Sequence, residues 1–311
     1  MAYLFMLLSI AAGSIKGYCG KRTSIYATRD TDASLFSFVR IFFCLIIGLI
    51  IVFVEGAHTS LTVDGKMLAI CAFSGVTNAA FLIGWMLAVQ RNSLVFVDVS
   101  LTLGSIIPAV LCLAFFGTEI SLFKMLGFAL IVVAAFILSF GQKSSKKTTL
   151  SGIMLVLVAM LGSGLNGFSQ SLFNTYYGAD AAGGVHYPNS VFLFYGYIFA
   201  ALTLLVYFAS VLLVKRRGSV EKEPLKKVFS SIKSPLPFIA VMAICLFADN
   251  YTKQLALAEG MPSQVLYPVI QGACLITVNF TAAIFFGEKP TAKTFIGSAA
   301  ALGGIVIMSL V

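Results

Sequence analysis

Apolar positions along this chain gather into long continuous runs. They show neither the period-2 alternation of a half-buried strand nor the one-sided stripe of a soluble helix. Crossing a hydrocarbon core takes about 20 apolar residues, and ten stretches answer to that length: about 2–20, 34–54, 67–90, 94–116, 121–140, 150–173, 190–214, 236–257, 263–286 and 292–311. A membrane β-barrel would alternate over about ten residues. Runs that are continuous and twice as long predict helices, whose backbone bonds are all internal. The expected fold class is an all-α membrane protein with ten transmembrane helices. The first run has no basic region before it and is interrupted by Lys16, so it reads as a retained helix and not a cleaved signal. Longer connections are expected at 21–33, 174–189 and 215–235, the last a hydrophilic linker.

Composition agrees with lipid as the solvent. Hydrophobic residues make up 59% and charged residues 11% of the 311, against roughly 45–50% and 25% in soluble domains. The net charge of +9 does not point to nucleic acid, because the basic residues sit in short runs beside apolar stretches and are not interleaved with stacking aromatics. Their distribution is informative in another way. Of 21 Lys and Arg, 16 fall in the connections after the odd-numbered runs, two (Lys66 and Lys124) fall on the other side, and Lys16, Arg40 and Lys253 lie inside runs. The positive-inside rule then places the odd connections in the cytoplasm and both termini outside.

The chain also repeats itself. Residues 93–139 and 263–309 match at a constant offset of 170, with identities that include Ser93/Ser263, Val95/Val265, Val99/Val269 and Ile106/Ile276 and continue through Phe115-Phe116-Gly117 and Phe285-Phe286-Gly287. Earlier helices agree more weakly: Gly13-Ser14-Ile15-Lys16-Gly17-Tyr18 resembles Gly162 through Phe168 with one insertion. The reading is two repeats of five helices, 1–145 and 146–311. Five is odd, so the second repeat enters the membrane from the opposite side.

On these residues the chain resembles the drug/metabolite transporter superfamily, EamA type: two five-helix repeats, each ending in Phe-Phe-Gly, an acid and a Gly-rich last helix. The stretch from Phe285 through Gly304 is also similar to the last hairpin of small multidrug resistance proteins. The resemblance spans essentially the whole chain and implies a transporter. It departs at one point: a Trp commonly precedes the glycine in the first helix of each family repeat, and here those positions are Ala12 and Leu161.

Candidate chemistry lies in the polar residues inside the runs, since an ionisable group at bilayer depth costs at least a few kcal/mol. Lys16, Arg40 and Asp98 are expected near the cytoplasmic boundary as one cluster. Asp249 and Lys253, four apart on one helix face, are expected toward the opposite boundary, with Asn166, Asn250 and Gln271 at similar depth. The two groups would form cavity walls or gates on the two faces, against the alternative that the long basic side chains snorkel to headgroups. Pro108 and Pro268 occupy corresponding helices and predict kinks, with Tyr267, Gln271 and Asn279 nearby. If protons drive the carrier, Asp98 and Asp249 are the candidates, because Glu55, Glu119, Glu259 and Glu288 all lie at helix ends.

Six cysteines without CxxC spacing and two loop histidines predict no metal site, and no phosphate loop or nucleophile motif suggests a cofactor or an enzyme. The sequence therefore predicts a secondary transporter working by alternating access on a small polar metabolite. An anionic or zwitterionic substrate, such as an amino acid or sugar phosphate, fits three cations against two acids in the spans. Proton-coupled efflux of amphipathic cations and a non-transporting scaffold are the alternatives. The expected location is a bacterial plasma membrane.

Overall fold

A computed structural model describes residues 1–91, 94–117, 121–140, 150–178, 185–218, 229–286 and 292–309. Among the described residues the secondary structure is helical, with no strand. In chain order the helices are α1 (Ala2–Tyr26), α2 (Asp30–Val54), a 3-10 turn (Ala57–Ser60), α3 (Gly65–Arg91), α4 (Leu94–Gly104), α5 (Ile106–Phe116) and α6 (Leu122–Phe140). The second half holds α7 (Leu150–Tyr177), α8 (Asn189–Gly218), α9 (Leu236–Ala258), α10 (Ser263–Phe286) and α11 (Ala292–Ser309).

Six helices, α1, α2, α3, α7, α8 and α9, are long and apolar enough to cross a membrane; shorter apolar stretches cover Ser100–Phe116, Leu122–Ile137 and Phe295–Met308. The distribution of polarity is that of a protein dissolved in lipid. Ile50, Phe53, Leu126, Leu202 and Val206 are each more than half exposed, whereas Ser9, Asp249, Gln170 and Gln254 are buried. In water such a surface would be one large apolar patch. The chain is an all-helical integral membrane protein.

Three details differ from the sequence reading. The stretch 21–33 is mostly helix, because α1 continues to Tyr26 and α2 begins at Asp30. Lys21 and Arg22 are good helix formers whose charge ends the apolar run but not the helix. At the other side of this short turn, Arg29 and Asp32 form a reciprocal cap on α2, with Nη2 of Arg29 2.8 Å from Oδ1 of Asp32. Second, α8 runs through Lys215, Arg216 and Arg217 to Gly218, so the hydrophilic linker starts later than expected. Third, the run 94–116 is broken at Ser105 into α4 and α5. Pro108 has no N–H for the carbonyl of Gly104 and its ring crowds that oxygen; Ser105 closes the break by donating its hydroxyl to Thr102 O at 2.7 Å. Pro268, by contrast, sits inside an unbroken α10, where the carbonyl its ring faces, that of Gln264, belongs to the first turn.

Packing runs in long pairs. α3 lies along α7, α1 along α9, α2 along α8 and α6 along α11; α8 also touches α3, α9 touches α2, α10 touches α1, and α4 and α5 touch both α7 and α10. Small residues make these approaches possible, as membrane helices require. At Gly162 a Cβ would lie 2.5 Å from the backbone N of Phe81, and at Gly84 one would lie 2.8 Å from that of Ala159, so α3 and α7 meet backbone to backbone.

Candidate functional site

The best-formed polar site lies between α1, α2, α3, α9 and α10. Its centre is Asp249, 1% exposed. Lys16 of α1 places Nζ 2.5 Å from Oδ2, Lys253 one turn along α9 places Nζ 2.7 Å from Oδ1, and Ser9 Oγ donates to Oδ1 at 2.6 Å. The carboxylate therefore accepts from two ammonium groups and a hydroxyl. Burying one such ion costs several kcal/mol unless it is paired and hydrogen-bonded, and here it is both.

This geometry corrects the expectation of two separate groups at opposite boundaries. Lys16 belongs with Asp249 and Lys253. The reason is reach: Ser9, in the middle of the first apolar run, and Lys16, two turns along, both touch Asp249, so the long lysine side chain turns inward to α9 and not out to the boundary.

A cavity of about 80 Å³ opens beside the cluster, lined by Lys16, Arg40, Trp85, Asp249, Lys253 and Gln271 among others. An adjoining one of about 50 Å³ shares Lys16, Asp249, Lys253 and Gln271 and extends to Asn78, Pro108, Asn166, Gln170 and Tyr267. Most residues singled out from sequence thus meet at one place. The side chains of Asp98 and Asn279 lie outside the described residues.

Arg40 is unlike its neighbours. It is 2% exposed, and its Nε and Nη2 have no hydrogen-bond partner. Among the described residues it makes no ion pair. It stands on α2 in the wall of the first cavity, which Trp85 and Met242 also line.

The second cavity is walled by a neutral network. Tyr267 donates its hydroxyl to Gly167 O at 2.8 Å, Gln170 Nε2 donates to Asn250 Oδ1 at 3.1 Å, and Asn250 Nδ2 donates to Tyr197 Oη at 3.0 Å. Ser74 of α3 donates to Asn166 Oδ1 of α7 at 3.2 Å. Asn78 Oδ1 is buried without a partner. Ser9, Asn78 and Gln170 escaped the sequence reading, because short polar residues within apolar runs more often mark ordinary interhelical bonds. Trp85 carried no expected role either. It packs its ring where a Cβ at Gly20 would come within 2.3 Å, which fixes its position on the cavity wall.

No protein-family model matches the chain, and no curated protein does. A solved crystal structure of a protein is similar in fold at 12% identity, with a TM-score of 0.70 over 99% of this chain and 96% of the other. The likeness extends over both chains almost entirely, so the arrangement of helices is one already seen in a solved protein.

Proposed function

We propose that the protein is a secondary transporter of the drug/metabolite transporter type, with ten spans in two inverted five-helix repeats, moving a small polar metabolite by alternating access. The observation that carries the reading is the buried Lys16–Asp249–Lys253 cluster on the wall of a cavity between the helices. Buried charges of this kind in a membrane interior mark a solute or ion pathway, and a site at the midplane between repeats is where carriers of this architecture hold their substrate.

The packing pattern supports the inverted halves. Exchange α1 for α7, α2 for α8, α3 for α9, α4 and α5 for α10, and α6 for α11. The α3–α7 pair then becomes α9–α1, α3–α8 becomes α9–α2, and α1–α10 becomes α7 with α4 and α5, all of them pairs that pack together. The polar contacts follow the same exchange. Lys16 of α1 meets Asp249 of α9; Asn166 of α7 meets Ser74 of α3. One half carries an ion pair where the other carries a neutral bond.

With odd connections cytoplasmic, the first cavity lies nearer that side, because Trp85 and Met242 lie toward the cytoplasmic ends of their helices. A bacterial plasma membrane remains the proposed location. Proton coupling through Asp249 has less support than solute transport, since its carboxylate already accepts three short bonds.

The test is flux into liposomes containing purified protein, with solute classes supplied outside. Lys253→Gln leaves Asp249 paired with Lys16, so it folds, and it is expected to reduce uptake at least tenfold at unchanged expression; Asp249→Asn removes both pairs and is expected to abolish uptake. Uptake at the wild-type rate in both variants would refute the assignment of the site.

A further inference from the structure

We infer that the solute is an organic anion carrying a carboxylate or phosphate group and no ammonium group, and that Arg40 is the residue that grips it. The inference rests on the transport reading above and narrows it. The lining residues described carry three basic side chains, Lys16, Arg40 and Lys253, against the single carboxylate of Asp249. A zwitterion would need an acceptor for its ammonium group as well as a donor for its acid. Asp249 is poorly suited to that part, because its one negative charge is already shared between two ammonium groups and a hydroxyl. It acts instead as the internal counter-ion that keeps two lysines side by side.

Among the described residues Arg40 has no such counter-ion. Its guanidinium stands in the cavity wall with Nε and Nη2 unpartnered and the residue 2% exposed. Buried cations are normally paired, because an uncompensated one costs much of a protein's net stability. A planar donor fork held in this state is matched by the two oxygens of a carboxylate or phosphate. Lys16 and Lys253 lie across the same cavity, so an anion on Arg40 can also share their charge as it moves. Function is served here at the expense of stability, as expected where a binding site leaves a group unsatisfied until its ligand arrives.

The test measures ligand-dependent thermal stability of the purified full-length protein in detergent. The probes are inorganic phosphate, succinate and 3-phosphoglycerate as anions, alanine as a zwitterion and choline as a cation. Anions are expected to raise the Tm and alanine and choline not to. Arg40→Gln is expected to weaken anion affinity about ten- to hundredfold, as loss of a charge-assisted bidentate contact does, and to leave the ligand-free Tm unchanged or higher, since it removes an unpaired buried charge. A merely structural Arg40 would lower that Tm. Arg40→Lys, which keeps the charge and loses the fork, is expected to fall between. If Arg40→Gln does not fold, alkylation of Cys274 in the wild-type protein gives a second readout: Cys274 lines the same cavity and is partly exposed, so bound anion should slow its modification. A shift with alanine as large as with the anions, or no shift and no protection with any anion, would overturn the inference. Liposome flux separates the two readings: uptake of a zwitterion or cation that depends on Lys253 leaves transport standing and sinks the anion, whereas anion binding at Arg40 without flux of any solute sinks transport alone.

Discussion

At the scale of single residues, two neighbouring glycines show how space and not composition sets the energetics. Gly303 has nothing within 4 Å of where a Cβ would be, whereas at Gly304 a Cβ would lie 2.5 Å from the carbonyl oxygen of Gly127 on α6. Gly304→Ala should therefore force α6 and α11 apart and cost about 1–3 kcal/mol, seen as a lowered Tm. Gly303→Ala should be neutral or slightly stabilising, because alanine favours the helix. Equal effects would contradict the tight approach. The same scale shows what the sequence could reveal of the site. Lys16, Arg40, Asp249 and Lys253 stood out because charges within apolar runs are costly and few. Their grouping did not, because a position along an apolar run says how far a residue lies from its end and not what its side chain reaches: Ser9 and Lys16, seven residues apart on α1, both reach Asp249. That contact joined two expected groups into one.

At the scale of elements, the break between α4 and α5 is the clearest departure from a regular span. Its cause was legible, since Pro108 was flagged, but the sequence could not say that Pro268 in the corresponding helix would leave α10 whole. The difference lies in position: Pro268 is the sixth residue of α10, so the carbonyl it faces, that of Gln264, lies in the first turn, while Pro108 faces the carbonyl of Gly104 in mid-run. The break places Ser105 and Pro108 on the second cavity, beside Asn166 and Tyr267. Broken helices at membrane depth are tolerated where they line a cavity. Pro108→Ala would restore the missing donor and join α4 to α5. A proline in the interior of a regular helix costs about 3 kcal/mol, so the variant is expected to melt higher and to transport more slowly. Unchanged flux with a raised Tm would mean that the break has no part in the transport cycle.

At the scale of the whole molecule, polar seams close both ends of the helix pairs. On one face, Tyr177 donates its hydroxyl to Asp64, 2.7 Å from Oδ2, Tyr195 donates to Leu61 O at 2.7 Å, and Tyr251 hydrogen-bonds Glu55. On the other, Arg91 pairs with Asp30 at 3.3 Å and Gln90 donates to Ala27 O at 2.6 Å. The first seam joins the connection after α2 to the end of α7; the second joins the end of α3 to the start of α2. In an alternating-access cycle these seams would open in turn while the Lys16–Asp249–Lys253 cluster stays between them. The proposed repeat is legible in sequence mainly where helices end in Phe-Phe-Gly. In the earlier helices its support is packing partners and paired polar contacts rather than identical residues, because lipid-facing positions accept any apolar side chain.

All of this depends on the two halves lying upside down relative to each other, so that one buried cluster can be reached from either side. Cysteines placed at Thr28 and Val185, both exposed and in corresponding connections of the two halves, test it directly with a membrane-impermeant thiol reagent applied to intact and to opened cells; the native cysteines are buried or only partly exposed. The account predicts that Val185→Cys is labelled from outside and Thr28→Cys only after the cells are opened. Labelling of both from the same face would contradict it.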